Sequence, residues 1–122
     1  MIYGTRHSPG EAFVEFARGF FEAIAAGDFQ AALGQLDADD HRWSKSSLLS
    51  EANRVIGGEM ICTLAGIRKS AEPELIPFEN GDYQLVHRIP VAGKWSTAKV
   101  RFQFVAKKHG NQFSVHLLGF EH

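Results

Sequence analysis

Cysteine is almost missing from this chain. Cys62 is the single one among 122 residues, so no intrachain disulfide can form and no paired-thiol metal site can be built. Set between Ile61 and Thr63 with Met60 and Leu64 beyond, it reads as a small buried hydrophobe. A reactive thiolate needs an electropositive, partly exposed setting that these neighbours do not supply. An excess of one charge is missing too: 13 Lys and Arg stand against 14 Asp and Glu, for a net of -1. That removes the electrostatic footprint of a nucleic-acid binder. No apolar run approaches the ~20 residues that span a bilayer, and residues 1–7 carry no apolar signal core. A cytoplasmic protein with no membrane partner is therefore expected. There is no G-x-S-x-G elbow, no H-E-x-x-H, no H-x-H and no glycine-rich phosphate loop, since Gly57-Gly58 closes a helix instead of opening one. Neither a metal nor a cofactor is expected.

What is present is enough apolar material for one ordinary globular domain over 1–122, with 44% hydrophobic residues and ten phenylalanines. Ser8-Pro9-Gly10-Glu11 has the pattern of a helix start, with Ser8 as N-cap, Pro9 in the first turn and Glu11 reaching back. Phe13, Phe16, Ala17, Phe20 and Ile24 then recur at three- and four-residue spacing, a single apolar stripe from which Glu15, Arg18 and Glu22 fall away. Gly27 stops this helix, and Asp28 caps a second through Phe29, Ala32, Leu33 and Leu36. Asp37 to Asp40 predicts a loop. Ser44 or Ser46 caps a third helix with Leu48, Ala52, Val55 and Ile56 inward, ended by Gly57-Gly58.

From Met60 the period changes. Met60 to Arg68 is predicted as a strand, followed by a loop through Pro73, Pro77, Asn80 and Gly81. Tyr83, Leu85, His87, Ile89 and Val91 alternate with Gln84, Val86, Arg88 and Pro90, a period of two. After a tight turn at Ala92-Gly93-Lys94, Ala98, Val100, Phe102 and Phe104 form the clearest amphipathic strand. Lys107 to Asn111 turns again, with Lys107-Lys108-His109 at its tip, and Phe113 to Phe120 closes an antiparallel meander. Helices first and strands afterwards give an α+β fold, with N-terminal helices packed on a curved antiparallel sheet.

A long amphipathic first helix running into Ala25-Ala26-Gly27-Asp28-Phe29-Gln30-Ala31-Ala32-Leu33, a third helix and a C-terminal meander resemble the NTF2-like superfamily. This is the cone-shaped α+β fold of ketosteroid isomerases and SnoaL-like cyclases. The Gly93-Lys94-Trp95-Ser96 hairpin looks most like small bacterial domains of that group. The resemblance implies a pocket between the helices and the concave sheet face, lined here by Phe16, Phe20, Trp43, Tyr83, Leu85, Val100 and Phe102. It also implies a homodimer through the outer sheet face. Enzymes of the group use a pocket Asp or His as base and often a Tyr on the first helix. This chain has Phe13, Phe16 and Phe20 at those helix positions, and its tyrosines are Tyr3 and Tyr83, so the isomerase pattern is not matched.

His87 shares the inward face with Tyr83, Leu85 and Ile89. Burial there would leave a neutral imidazole, which suits either a general base or a core histidine satisfied by a carbonyl. Asp40-His41 beside Trp43 is the second candidate, because a carboxylate next to an imidazole can orient it; the same pair can equally be solvated loop. His116 joins His87 only if the strand register allows, with Asp40 or Glu59 as the acid. Trp95, with Lys99 and Arg101 beside it, has the composition of an interface anchor, unless the ring is tucked against its own hairpin.

Three functions follow. The first is a small-ligand-binding or accessory domain with a small hydrophobic ligand. The second is a lyase, isomerase or cyclase using His87 with Asp40 and His41. The third is a protein-interaction module of immunity or adaptor type built on the face of Trp95, Lys99 and Arg101.

Overall fold

The computed structural model describes residues 2–3, 9–36, 43–107 and 112–122. The Ser8 cap, the Asp37–Asp40 loop and the Lys108–Asn111 turn lie outside them. The expected apolar stripe forms helix α1, Pro9–Ala25, whose Phe13, Ala17, Phe20 and Phe21 are fully buried. Gly27 leaves the helix with φ +78°. The Asp28 carboxylate then accepts from the Ala31 N–H at 3.0 Å, capping the short α2, Phe29–Gly34. Of the two serines offered as caps for α3, Lys45–Ile56, it is Ser44 that serves. It forms a reciprocal capping box with Ser47, and Gly57 closes the other end at φ +67°, where a Cβ would be strained.

Strand β1 (Ile2–Tyr3) precedes the helices, and β2 (Glu74–Pro77), β3 (Tyr83–Val91), β4 (Lys94–Ala106) and β5 (Gln112–Glu121) follow them. They form one antiparallel sheet in the order β1-β5-β4-β3-β2. The α+β expectation holds: the helices pack on the sheet face that carries Leu85, Ile89, Val100, Phe102, Phe104, Val115 and Leu117.

Two expectations are corrected. Met60 to Arg68 is not a strand; its backbone makes one isolated bridge, Ile61 to Val91, turns at Ala65-Gly66 and is otherwise irregular. Residues 66 and 68–70 are exposed on both would-be faces, so this stretch has no second apolar surface to bury. The strand lies instead at Glu74–Pro77, inside the expected loop, pairing Glu74 with Val86 and Pro77 with Tyr83. An edge strand tolerates proline at its end because the missing N–H costs no ladder bond.

Both long strands are interrupted by irregularities that decide which side chains face inward. In β5 Phe102 pairs with Leu117 but Arg101 with Gly119. The extra residue, Leu118, restores Phe120 to the core side, where strict alternation would turn it out. Between β3 and β4 the register shifts from Arg88–Lys99 to Pro90–Trp95. Pro90 has no N–H to offer a ladder, and the Ser96 hydroxyl donates instead to the Ile89 carbonyl at 2.7 Å.

The β3–β4 turn places Ala92 at φ +52° and Gly93 at φ +76°, both left-handed, as a type I′ turn requires. Alanine is strained there by about 1 kcal/mol. Ala92→Asn is expected to stabilise the fold by about 0.5–1 kcal/mol, read as a higher urea midpoint at unchanged slope. Gly93→Ala should move the midpoint the other way.

Candidate functional site

His87 is the largest buried polar side chain on the inward face, with 2% of its surface accessible. Its strand position puts it opposite Val100, and its ring lies between Phe21 of α1 at 5.4 Å and Trp95 at 5.3 Å, centroid to centroid. Nδ1 is 2.8 Å from the Arg88 carbonyl oxygen. A carbonyl only accepts, so Nδ1 carries the hydrogen and, in the neutral ring, Nε2 carries the lone pair. Burial holds the imidazole below its ordinary 6.5; the bond to the Arg88 carbonyl opposes this, and the charge of Arg18 adds to it.

The segment after α3 is fixed to the body at four places. Glu22, expected on the solvent side, accepts from the Thr63 hydroxyl at 3.0 and 2.9 Å and from the Leu64 N–H at 2.6 Å. The Cys62 N–H donates to the Pro90 carbonyl at 2.9 Å, and the Gly93 N–H points at the half-buried Cys62 Sγ at 3.3 Å. The Trp95 indole N–H donates to the Lys69 carbonyl at 2.7 Å. Trp95 is thus half-buried, tied by its nitrogen to this segment and by its ring to His87.

Two depressions flank the arrangement. One, of about 420 Å³, runs between α1 and the β2–β3 edge: Val14, Pro73, Leu75 and Leu85 form its apolar walls, with Glu11, Glu15 and Arg18 on the helix side. Gly10 belongs to it because the Leu75 side chain closes over that helix turn; a Cβ there would sit 2.9 Å from Leu75 Cδ2. The other, of about 550 Å³, lies between residues 66–70 and the β3–β4 hairpin, with Arg68, Lys69, Arg88, Lys94 and Trp95 in its walls.

Of the residues expected to line a pocket, Leu85 alone borders either depression. Phe16, Phe20 and Phe102 pack ring against ring at 5.2 to 6.4 Å, and Val100 is fully buried in the same core. Tyr83 rests on Phe13 and Phe113. Trp43 packs on Phe120, and its indole N–H donates to the Leu117 carbonyl at 2.8 Å. Asp40 and His41 lie outside the described residues. The register that the sequence left open keeps His87 and His116 apart. His87 faces the helices, whereas His116 pairs with Gln103 on the opposite face, and Glu59 is exposed. Among the described residues no three His, Cys, Asp or Glu side chains are grouped to hold a metal, and no helix is long and apolar enough to cross a membrane. On the outer face Arg101 is held by Glu121 at 3.0 Å and by Gln84 at 2.9 Å, with Lys99 opposite both Arg88 and Glu121.

The residues that sequence reasoning passed over are Arg18 and Glu22, set aside as off the stripe, and the cations of 68–69 and 94. Arg68-Lys69 and Lys94-Trp95 did carry a signal as basic residues in turns. Only the pairing of Trp95 with Lys69 reveals that they share one groove.

The lowered His87 proton affinity fixes a sign. The unfolded chain binds a proton at His87 more readily than the folded one, so stability is full above pH 6.5 and is lost as pH falls through the folded value. Wild type should therefore lose stability relative to His87→Phe between pH 7.5 and 5, with a slope of at most about 1.4 kcal/mol per pH unit, checked by urea titrations at stepped pH. In comparisons with known proteins, no family model, no curated protein and no solved structure matches this chain.

Proposed function

We propose that the chain is an NTF2-like small-ligand-binding or accessory domain without a catalytic set of its own, taking a small hydrophobic ligand in the cleft between α1 and the β2–β3 edge. The observation that carries this reading is the composition of that cleft: Val14, Pro73, Leu75 and Leu85 offer apolar walls at the rim of the helix–sheet interface, and Glu11, Glu15 and Arg18 stand along one side. A few charged groups beside an apolar wall orient a ligand that has one polar end. The aromatic core beneath is filled by its own rings, so the rim is where space for a ligand exists. The proposal carries with it the homodimer that the resemblance implies and the cytoplasmic location expected from the sequence.

One observation favours a second reading, an enzyme with His87 as base. The imidazole is held neutral, and Arg18, which borders the cleft, acts on it electrostatically. Against this, Phe21 and Trp95 cover the ring, so a substrate reaches Nε2 only if Trp95 swings away.

The ligand-binding reading is tested with N-phenyl-1-naphthylamine, a neutral apolar fluorophore. Saturable binding at about micromolar Kd is expected in wild type. Val14→Trp, which fills the cleft from a half-buried position, should weaken it at least ~10-fold, a change of about 1.4 kcal/mol. Leu75→Asp at the exposed rim should act in the same direction. No saturable binding, or equal binding in both variants, overturns the reading.

A further inference from the structure

The groove between residues 66–70 and the β3–β4 hairpin concentrates charge of one sign in a chain that is close to neutral. Arg68, Lys69, Arg88 and Lys94 border it, together with Trp95, Ser70 and the backbone of Gly66 and Gly93, and no carboxylate does. The ion pairs among the described residues join Arg54 to Glu51 and Arg101 to Glu121, so none of the four groove cations is ion-paired with an acid among the described residues. Of the acids bonded elsewhere, Glu121 is held by Arg101 and Glu22 by Thr63 and Leu64. Arg88 also stands directly across the β3–β4 ladder from Lys99, a like-charge pairing that destabilises a sheet by several tenths of a kcal/mol. On its other side Lys99 has Glu121, but the groove cations themselves have no acidic partner among the described residues and are complementary to an anion from outside.

The groove is built as well as charged. Trp95 is fixed from two sides, by its N–H bond to the Lys69 carbonyl and by its ring contact with His87, so the ring is already positioned when a ligand arrives. The Ser70 Oγ accepts from the Glu72 N–H at 3.0 Å, which leaves its own hydrogen to donate. A volume of about 550 Å³ exceeds the needs of a bare inorganic ion and is of the size that holds a small organic molecule.

We propose that this groove is a binding site for a phosphorylated small molecule carrying a flat ring, of the nucleoside-phosphate class, with its phosphates among Arg68, Lys69, Arg88 and Lys94 and its ring against Trp95. Guanidinium groups match phosphate oxygens in a bidentate fork, and an indole wall takes any flat heterocycle without base-specific contacts. The site is separate from the apolar cleft at α1 and does not depend on it.

The test uses ATP, adenosine and tripolyphosphate as probes on the full chain, followed by NMR through the two indole N–H resonances, of which that of Trp95 is diagnostic. ATP is expected to shift the Trp95 resonance saturably at sub-millimolar Kd, with adenosine and tripolyphosphate each at least ~10-fold weaker. Arg68→Ala combined with Lys94→Ala, both at exposed positions, should weaken ATP at least ~10-fold. Lys107→Ala, away from the groove, should leave it unchanged. Val14→Trp should also leave ATP binding intact, which separates this site from the cleft at α1. No saturable shift of the Trp95 resonance, adenosine or tripolyphosphate binding as tightly as ATP, or equal loss in Lys107→Ala overturns the proposal.

Discussion

The contact on which the rest of the structure depends is the stack of Phe13 on Phe104, centroids 4.0 Å apart and planes 15° from parallel. Around it Phe16 meets Phe102 and Phe104 edge-on, Phe20 meets Phe102, and Phe113 closes from β5. Each such ring buries about 1.5–3 kcal/mol of apolar surface, and favourable ring geometry adds about 0.5–1.5 kcal/mol per pair. Because α1 presents its phenylalanines at helical spacing and β4 at every second residue, one orientation of helix on sheet satisfies both. That orientation fills the space between the layers. Room for a ligand is left at the margins, along α1 beside Leu75 and at the hairpin beside Trp95.

The margins are shaped by irregular backbone. Pro90 cannot supply a ladder bond, the register of β3 on β4 shifts there, and Trp95 comes to lie opposite Pro90 and against His87. The segment from Cys62 to Lys69 then covers the part of β3 that β2 does not reach, held by Glu22, by the Pro90 carbonyl and by the Trp95 indole. The neutral, buried His87 is a consequence of this closure: Phe21 and Trp95 remove water from the ring, and the Arg88 carbonyl takes its one hydrogen. Burying a charged imidazole with no acid beside it would be far more costly.

Much of the fold was legible, for reasons that differ by element. The stripe of Phe13, Phe16 and Phe20 and the alternation of Val100, Phe102 and Phe104 are strong periodic signals because these elements bury one face and solvate the other. Caps at Asp28 and Ser44 were readable because short polar side chains at helix starts answer a local need of the backbone. His87 was placed correctly on the inward face by the same alternation. The strand at Glu74–Pro77 was missed because an edge strand is four residues long, bracketed by prolines and exposed on most positions, so it carries neither period nor burial. β1, of two residues, is shorter still. The segment 60–68 looked like a strand because Ile61, Cys62, Leu64 and Ile67 are apolar, yet it makes one isolated bridge and is held by Glu22 of α1 and by the hairpin instead. The grooves were illegible because their residues come together from distant points in the chain, Arg18 with Leu75 and Lys69 with Trp95, and no local pattern records such a meeting. Asp40 and His41 lie outside the described residues.

The central claim is that α1, β3 and β4 form one cooperative unit through the phenylalanine stack, and that the segment 62–73 is a cover resting on it. Amide hydrogen exchange measured residue by residue tests this most directly. The account predicts that the amides of Phe20, Phe102 and Phe104 exchange together and only by global unfolding. Residues 65–72 should exchange much faster, through local opening that leaves the stack intact. Equal protection in the cover and the stack, or exchange of β4 amides well below the global unfolding free energy, would contradict it.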